Sequence, residues 1–186
     1  MKKTYIIFAG PGGGKGTQCK LLVDKHNFAH ISTGDLIRDA ISDGTIDPEI
    51  LKKTNFISDD VMSEILWKEL SKHDEQHVII DGFPRAGNQH VLIHKILEDV
   101  DRKIDGVFMM RVWDSTLKER LMKRETRVGE STTDKEANVN KRIQAYNDET
   151  VPVILKLERT IEPGIYHVID GERTVEAIHT DIVSYL

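Results

Sequence analysis

Residues 5–18 read Tyr5-Ile6-Ile7-Phe8-Ala9-Gly10-Pro11-Gly12-Gly13-Gly14-Lys15-Gly16-Thr17-Gln18. An apolar run feeds a glycine-rich turn that closes in Lys15, and a helix-compatible stretch follows, Cys19-Lys20-Leu21-Leu22-Val23. Strand, loop and helix in that order suit a nucleotide polyphosphate. Gly10, Gly12, Gly13 and Gly14 let the backbone curl so that several N–H groups point inward, with no Cβ in the path of an anion. Lys15 adds a point charge for the β- and γ-phosphates, and the helix behind it adds its positive N-terminal end. The spacing fits a phosphate-binding loop with Ala9 where Gly is usual. Gly16 follows the Lys at a place where such loops mostly carry a magnesium-ligating Ser or Thr, and Thr17 stands one place late. A merely flexible glycine turn is the competing reading. The preceding strand and the Gly14-Lys15 closure argue against it.

Outward from this loop, short β-like runs recur at Thr4–Phe8, Phe28–Ile31, His77–Ile80, Gly106–Val112 and Tyr166–Ile169, with helical patterns between them. Such alternation predicts an α/β fold, a parallel sheet with helices on both faces. Val78-Ile79-Ile80 and Val107-Phe108-Met109-Met110 are continuous apolar runs, as strands buried on both sides require. Ligands of such sheets bind beyond the carboxyl ends of the strands. The phosphate loop, Ser32-Thr33-Gly34-Asp35 and Asp81-Gly82-Phe83-Pro84-Arg85 each follow a predicted strand, so they should converge on one crevice. Asp43–Pro48 and the polar stretch Thr126–Lys135 make poor core and are read as mobile covers over it.

The chain of 186 residues is long enough for one domain with a substantial core. A net charge of −5 argues against a general nucleic-acid binder but leaves room for a local basic site. The single cysteine, Cys19, excludes an internal disulfide and fits a reducing, cytoplasmic compartment. It is expected to be a small packed residue of the first helix. The apolar stretch behind Met1-Lys2-Lys3 is too short for a secretory signal, and no segment has the run of about 20 apolar residues that would span a membrane.

Further motifs stand in order along the chain: His30-Ile31-Ser32-Thr33-Gly34-Asp35-Leu36-Ile37-Arg38, Asp81 to Arg85 with Gln89, Arg120 to Arg124, Lys141-Arg142-Ile143-Gln144-Ala145-Tyr146, and Thr150 to Ile154. Together with the phosphate loop they resemble the adenylate kinase family of nucleoside monophosphate kinases, in its short-lid form, over nearly the whole chain. The resemblance implies a single three-layer P-loop NTPase domain with a five-stranded parallel sheet, an acceptor-binding segment over about 32–61 and a short lid over about 124–135. It implies ATP and AMP as substrates, Mg2+ as cofactor, no membrane or nucleic-acid partner, and a monomer. By the same resemblance Gly10 to Thr17, Arg120 and Arg124 bind ATP. Thr33, Arg38, Ile57, Gly82, Arg85 and Gln89 bind AMP, and Lys15, Arg38, Arg85, Arg120, Arg124 and Arg142 carry the transfer. Asp81 serves magnesium through water. The chemistry agrees, because phosphoryl transfer needs alignment and positive charge, and Arg supplies charge in a planar fork that matches phosphate. On their own terms, Asp81 also reads as a turn Asp beside Gly82, and Arg120 and Arg124 as a solvated face paired with Glu119 and Glu125. Gln89 on its own reads as a surface residue; the resemblance implies that this position, four after Arg85, reads the acceptor base and that Gln there goes with adenine, whose donor–acceptor edge an amide can meet in pairs.

Departures from the family pattern set the alternatives. The lid usually carries Gly-Arg-x-Asp-Asp, where this chain has Glu130-Ser131-Thr132-Thr133-Asp134, so the lid Arg becomes Ser131 and the first Asp becomes Thr133. Arg127 shares a helical face with Arg120 and Arg124 if the helix continues that far, and is the candidate replacement. Thr54 stands where Gly is frequent. The lid is too short for the zinc-stabilised form. The expected activity is therefore an adenylate kinase. A UMP/CMP kinase on the same scaffold and a non-catalytic nucleotide-binding relative are the alternatives. The eight histidines show no ligand spacing and are read as surface or locally satisfied groups, His30 as a packing residue. Trp67 and Trp113 are expected to be core or half-buried, and Met109 and Met110 core.

Overall fold

The computed structural model of the chain describes residues 2–47, 57–124 and 135–186. Its strands β1 (Thr4–Phe8), β2 (Phe28–Ser32), β3 (His77–Asp81), β4 (Gly106–Arg111) and β5 (Tyr166–Asp170) form one five-stranded sheet in the order β2-β3-β1-β4-β5. Every pairing is parallel. The helices are α1 (Lys15–His26), α2 (Thr33–Ser42), α3 (Asp59–Leu70), α4 (Gln89–Glu98), α5 (Asp114–Lys123), α6 (Lys135–Ala145), α7 (Val151–Glu158) and α8 (Val175–Val183), with a single π turn, Tyr146–Thr150, joining α6 to α7. Among the described residues no helix is long and apolar enough to cross a membrane.

The two-residue period of the strands divides the core into two layers. Ile6 and Phe8 point to one face of the sheet, packed with Leu66 of α3, Ile93 of α4 and Leu157 of α7. Tyr5 and Ile7 point to the other, packed with Leu22 of α1 and with Ile178 and Ile182 of α8. The division follows from right-handed crossovers. The chain leaves β1 towards the β2 edge and leaves β3 towards the β5 edge, so the helices after these strands lie on opposite faces. The carboxyl ends of β1 and β3 are thereby left open side by side, with Ile7 paired to Asp81 and Asp81 in turn to Ser32.

Two satellite clusters stand apart from this core. Leu117 and Leu121 of α5 meet Val139 and Ile143 of α6. Ala40, Ile46 and Ile57, all of the acceptor segment, pack together. Cys19 and Met110 are buried as expected, and Met109 packs at the margin of the first layer. The two tryptophans correct the sequence reading: Trp67 is 44% and Trp113 74% exposed. On α3 the buried positions are Met62, Leu66 and Leu70, which turns Trp67 off that face. Trp113 immediately precedes α5, at the rim where β4 leaves the sheet. Helix α5 also ends earlier than the register argument for Arg127 requires. It stops at Lys123, and Arg124 is already extended. Thr54, Arg127, Ser131 and Thr133 lie outside the described residues.

Candidate active site

The phosphate loop joins β1 directly to α1. Gly12 and Gly14 have φ of 83° and 91°, backbone angles that a side chain disfavours, and they wind the loop back on itself. Gly13 N donates to Gly10 O at 2.9 Å and closes the turn. Helix α1 then begins at Lys15, so its N-terminal end faces the loop's concavity. Lys15 Nζ donates to Ala9 O at 3.0 Å and stands 3.8 Å from Asp81 Oδ1. Buried Gln18 ties the helix down, donating from Nε2 to Val175 O at 2.9 Å.

Beside the loop, Ser32 caps α2, its Oγ accepting from Asp35 N at 3.3 Å. Thr33 Oγ1 donates to Gly82 O at 2.9 Å and locks the end of β3 to the start of α2. Gly82 has φ 91°, and a Cβ built there would come within 2.4 Å of Arg85 Nη2. The guanidinium of Arg85 therefore occupies the space that only a glycine leaves free. Arg38, ion-paired to Asp35, and Arg85 both flank Gly34. Burial pushes the Arg85 guanidinium downward from its ordinary range, Asp81 opposes this, and Arg142 and Arg38 push it further down. Three guanidiniums near enough to repel one another make a site for an anion. Asp81 is held below the usual carboxylate range: burial acts to raise it, but His30, Lys15 and Arg85 outweigh that effect.

Across the opening, Arg120 donates from Nη2 to Gly171 O at 3.2 Å, next to the end of β5. Lys135 Nζ donates to Arg124 O at 2.6 Å and Met122 O at 2.9 Å, so the first residue of α6 caps the end of α5. One crevice of about 1470 Å³ is lined by the loop residues Pro11 to Thr17 together with Arg38, Asp81, Gly82, Arg85, Arg120, Arg124 and Arg142. The π turn lines it as well. Thr33, Gln89 and Ile57 are buried and do not line it. Gln89 is 4% exposed. Its Oε1 accepts from Arg85 N at 2.8 Å and Ala86 N at 3.3 Å, and its Nε2 donates to Asp59 Oδ1 at 2.9 Å.

A family model described as adenylate kinase matches residues 7–161. The chain belongs to the adenylate kinase family. It is thus a nucleoside monophosphate kinase, a phosphotransferase. An adenylate kinase of Prochlorococcus marinus (strain NATL2A) is 32% identical, the match covering 98% of this chain and 97% of that one. Adenylate kinase 1 of Synechocystis sp. (strain PCC 6803) is also 32% identical, covering 98% and 96%. An adenylate kinase of Corynebacterium aurimucosum is 33% identical, covering 94% and 98%. The five-stranded parallel sheet with helices around it agrees with the P-loop NTPase fold of that family.

The structure adds groups that the sequence reading passed over. His30 lines the crevice, with Nε2 3.7 Å from Asp81 Oδ2, instead of serving only as packing. Its place follows from the parallel pairing of β2 with β3, in which His30 stands two residues before Ser32, the partner of Asp81. The π turn left no legible signal. Its residues Tyr146, Asp148, Glu149 and Thr150 form the crevice wall beyond Arg142.

Proposed function

We propose that this chain transfers the γ-phosphoryl group of ATP to AMP, reversibly and with magnesium, giving two ADP. The observation that carries this reading is the gathering of Lys15, Arg38, Arg85, Arg120, Arg124 and Arg142 on one crevice of about 1470 Å³. That volume exceeds the roughly 300–1,000 Å³ of a pocket for one small ligand, so it has room for two nucleotides. The relatives named adenylate kinase support the substrate pair.

In this reading the N–H groups from Gly10 to Thr17 and the Lys15 ammonium hold the donor phosphates, with Arg120 and Arg124 around them from the lid side. Arg38 and Arg85 grip the acceptor phosphate, and Arg142 joins Arg120 and Arg124 around the donor phosphates. Thr33, Ile57 and Gly82 shape the acceptor pocket. An acceptor oxygen attacks the γ-phosphorus while the bond to the β–γ bridging oxygen breaks, so both products are ADP and no side chain acts as nucleophile. The guanidinium forks are fixed before reaction and need no reorganisation as charge spreads over the equatorial oxygens. Asp81 suits magnesium. It is an ionised oxygen ligand on the crevice wall, and magnesium binds through one or two carboxylates, substrate phosphates and retained water. When bound, magnesium neutralises charge on the donor phosphates.

The acceptor segment and the lid close over both nucleotides and exclude water, a competing acceptor. The helices on either side of the lid, α5 and α6, meet in a small satellite cluster, and the acceptor segment has another, which suits elements that must open. Gln89 reads adenine by exchanging one of its present partners for the base on closure. The single buried cysteine supports a reducing, cytoplasmic setting, and the family pattern supports a monomer. The test is ADP formation from ATP and magnesium with AMP, UMP, CMP or no acceptor. Fast turnover that depends on AMP is expected. A preference for UMP or CMP would overturn the base assignment, and binding without turnover would make Ser131 the site of a lost activity.

A further inference from the structure

We propose that Cys19, His30 and Asp81 form a binding site for a soft or borderline divalent cation, of the Zn2+ or Cd2+ kind, beneath the phosphate loop, and that filling it shuts the crevice. The three residues come from different elements, α1, β2 and the end of β3, and together offer a sulfur, a nitrogen and an oxygen, all within 4.8 Å of one another. Two ligand atoms on a tetrahedral zinc ion stand about 3.3–3.8 Å apart. The 3.7 Å between His30 Nε2 and Asp81 Oδ2 already has that spacing, and bringing in Cys19 Sγ takes at most about 1 Å of side-chain movement. His30 Nε2 is buried without a hydrogen-bond partner by geometry, and the group it faces is Asp81, itself a ligand of the proposed site. His30 and Asp81 both line the crevice, which gives an ion its path in.

The donor set discriminates between cations. Magnesium takes oxygen ligands and keeps its water, whereas thiolate and imidazole select zinc and its heavier congeners. Cys19 is fully buried, and burial, with Asp81 adding to it, pushes its thiol well above the ordinary range, so the metal-free thiol is protonated. Binding therefore forms one metal–sulfur bond, breaks the S–H bond and releases the proton to solvent, with no change of oxidation state. The dication then lies beside Lys15, 3.8 Å from Asp81, and drives its ammonium away while withdrawing Asp81 from magnesium. This inhibitory consequence rests on the roles proposed above for Lys15 and Asp81; the binding site does not.

The test is a Cd2+ titration of the nucleotide-free protein, followed by the ultraviolet cadmium–thiolate charge-transfer band. Because Cys19 is the single cysteine, the band reports this site alone. We expect a band that saturates at one cadmium per chain, that excess magnesium leaves in place, and that disappears in Cys19→Ala. In His30→Gln and Asp81→Asn, with fold checked by circular dichroism, cadmium affinity should fall by at least about tenfold. Absence of the band, or undiminished affinity in both of those variants, would overturn the site. In a transfer assay with magnesium in excess, Zn2+ should inhibit the natural protein and leave Cys19→Ala active. A saturating band without inhibition would keep the site and refute its coupling to Lys15 and Asp81.

Discussion

Gly82→Ala isolates the most constrained point of the acceptor side. At φ 91° a residue with a Cβ pays the left-handed penalty of about 1–2 kcal/mol. The new methyl would also fall 2.8 Å from Thr33 Oγ1 and disturb its bond to Gly82 O, a net loss of about 0.5–1.5 kcal/mol. Together these destabilise the fold by roughly 2–3 kcal/mol, which lowers Tm by about 4–12 °C in a chain of this size. The methyl also falls 2.4 Å from Arg85 Nη2, so the guanidinium must swing away from the acceptor phosphate. Loss of one fixed donor to developing charge lowers turnover about 10²–10³-fold. We therefore expect kcat/KM for AMP to fall by that factor, with KM for ATP nearly unchanged. Calorimetry and initial-rate kinetics with each nucleotide varied measure the two effects separately. The double variant Gly82→Ala, Arg85→Ala should be no slower than Arg85→Ala alone, since both act through one group. A fall in Tm with normal AMP kinetics would refute the placement of Arg85, and an unchanged Tm would refute the strain argument.

Lys15→Met should bind nucleotide weakly and lower kcat by about 10³-fold or more, with little change in Tm because the loop turn is held by backbone bonds; rate and thermal measurements check both. Gln89→Asn should shift acceptor preference away from AMP in competition with UMP and CMP, and an unaltered preference would remove Gln89 from base reading. Ser131→Arg should raise turnover, and Arg127→Ala should lower it if Arg127 serves in place of the usual lid Arg. The His179 imidazole, with His26 Nε2 3.3 Å from its own Nε2, is depressed by burial and then by His26 and Lys25. The unfolded chain therefore takes up its proton near pH 6.5 and the folded chain only at lower pH. Stability is full above about 6.5 and declines as pH falls through that window. His77, His94 and His167 are depressed in the same direction, so His179→Gln should reduce the slope of Tm against pH without abolishing it.

The central strands β1, β3 and β4 were legible because their runs are apolar on both faces, as burial on both sides requires. Val78-Ile79-Ile80 and Val107-Phe108 are fully buried. The phosphate loop was legible because glycine is demanded by the backbone, and Gly12 and Gly14 take the positive φ that the spacing implied. The arginines were legible only as a family pattern, since an Arg in a polar helix looks the same whether it meets water or phosphate. What stayed hidden depends on contacts across the sheet. His30 and Cys19 meet Asp81 through the parallel pairing of β2 with β3 and through the packing of α1, over sequence separations that no local spacing encodes. Trp113 was misjudged for the converse reason. Hydrophobicity sets what burial would gain, and position at the rim of β4 decides whether burial is available.

The distribution of charge connects these levels. The chain carries −5 overall, yet among the described residues the crevice gathers Lys15, Lys20, Arg38, Arg85, Arg120, Arg124, Lys141 and Arg142 against Asp35, Asp81, Asp148 and Glu149. Cations so placed repel one another, as the downward push of Arg38 and Arg142 on Arg85 records. The sheet core, with side chains such as Ile6, Val78 and Phe108 fully buried at about 1.5–3 kcal/mol each, is what holds them together without a ligand. An anionic nucleotide relieves that repulsion and adds its own binding energy to the folded state. The same electrostatics select the ligand. The concave positive wall focuses small anions, nucleotides among them. Of the acidic groups in that wall, Asp81 stands 3.8 Å from Lys15. Under the roles proposed above, the cation that Asp81 accepts decides whether Lys15 stays beside the donor phosphates.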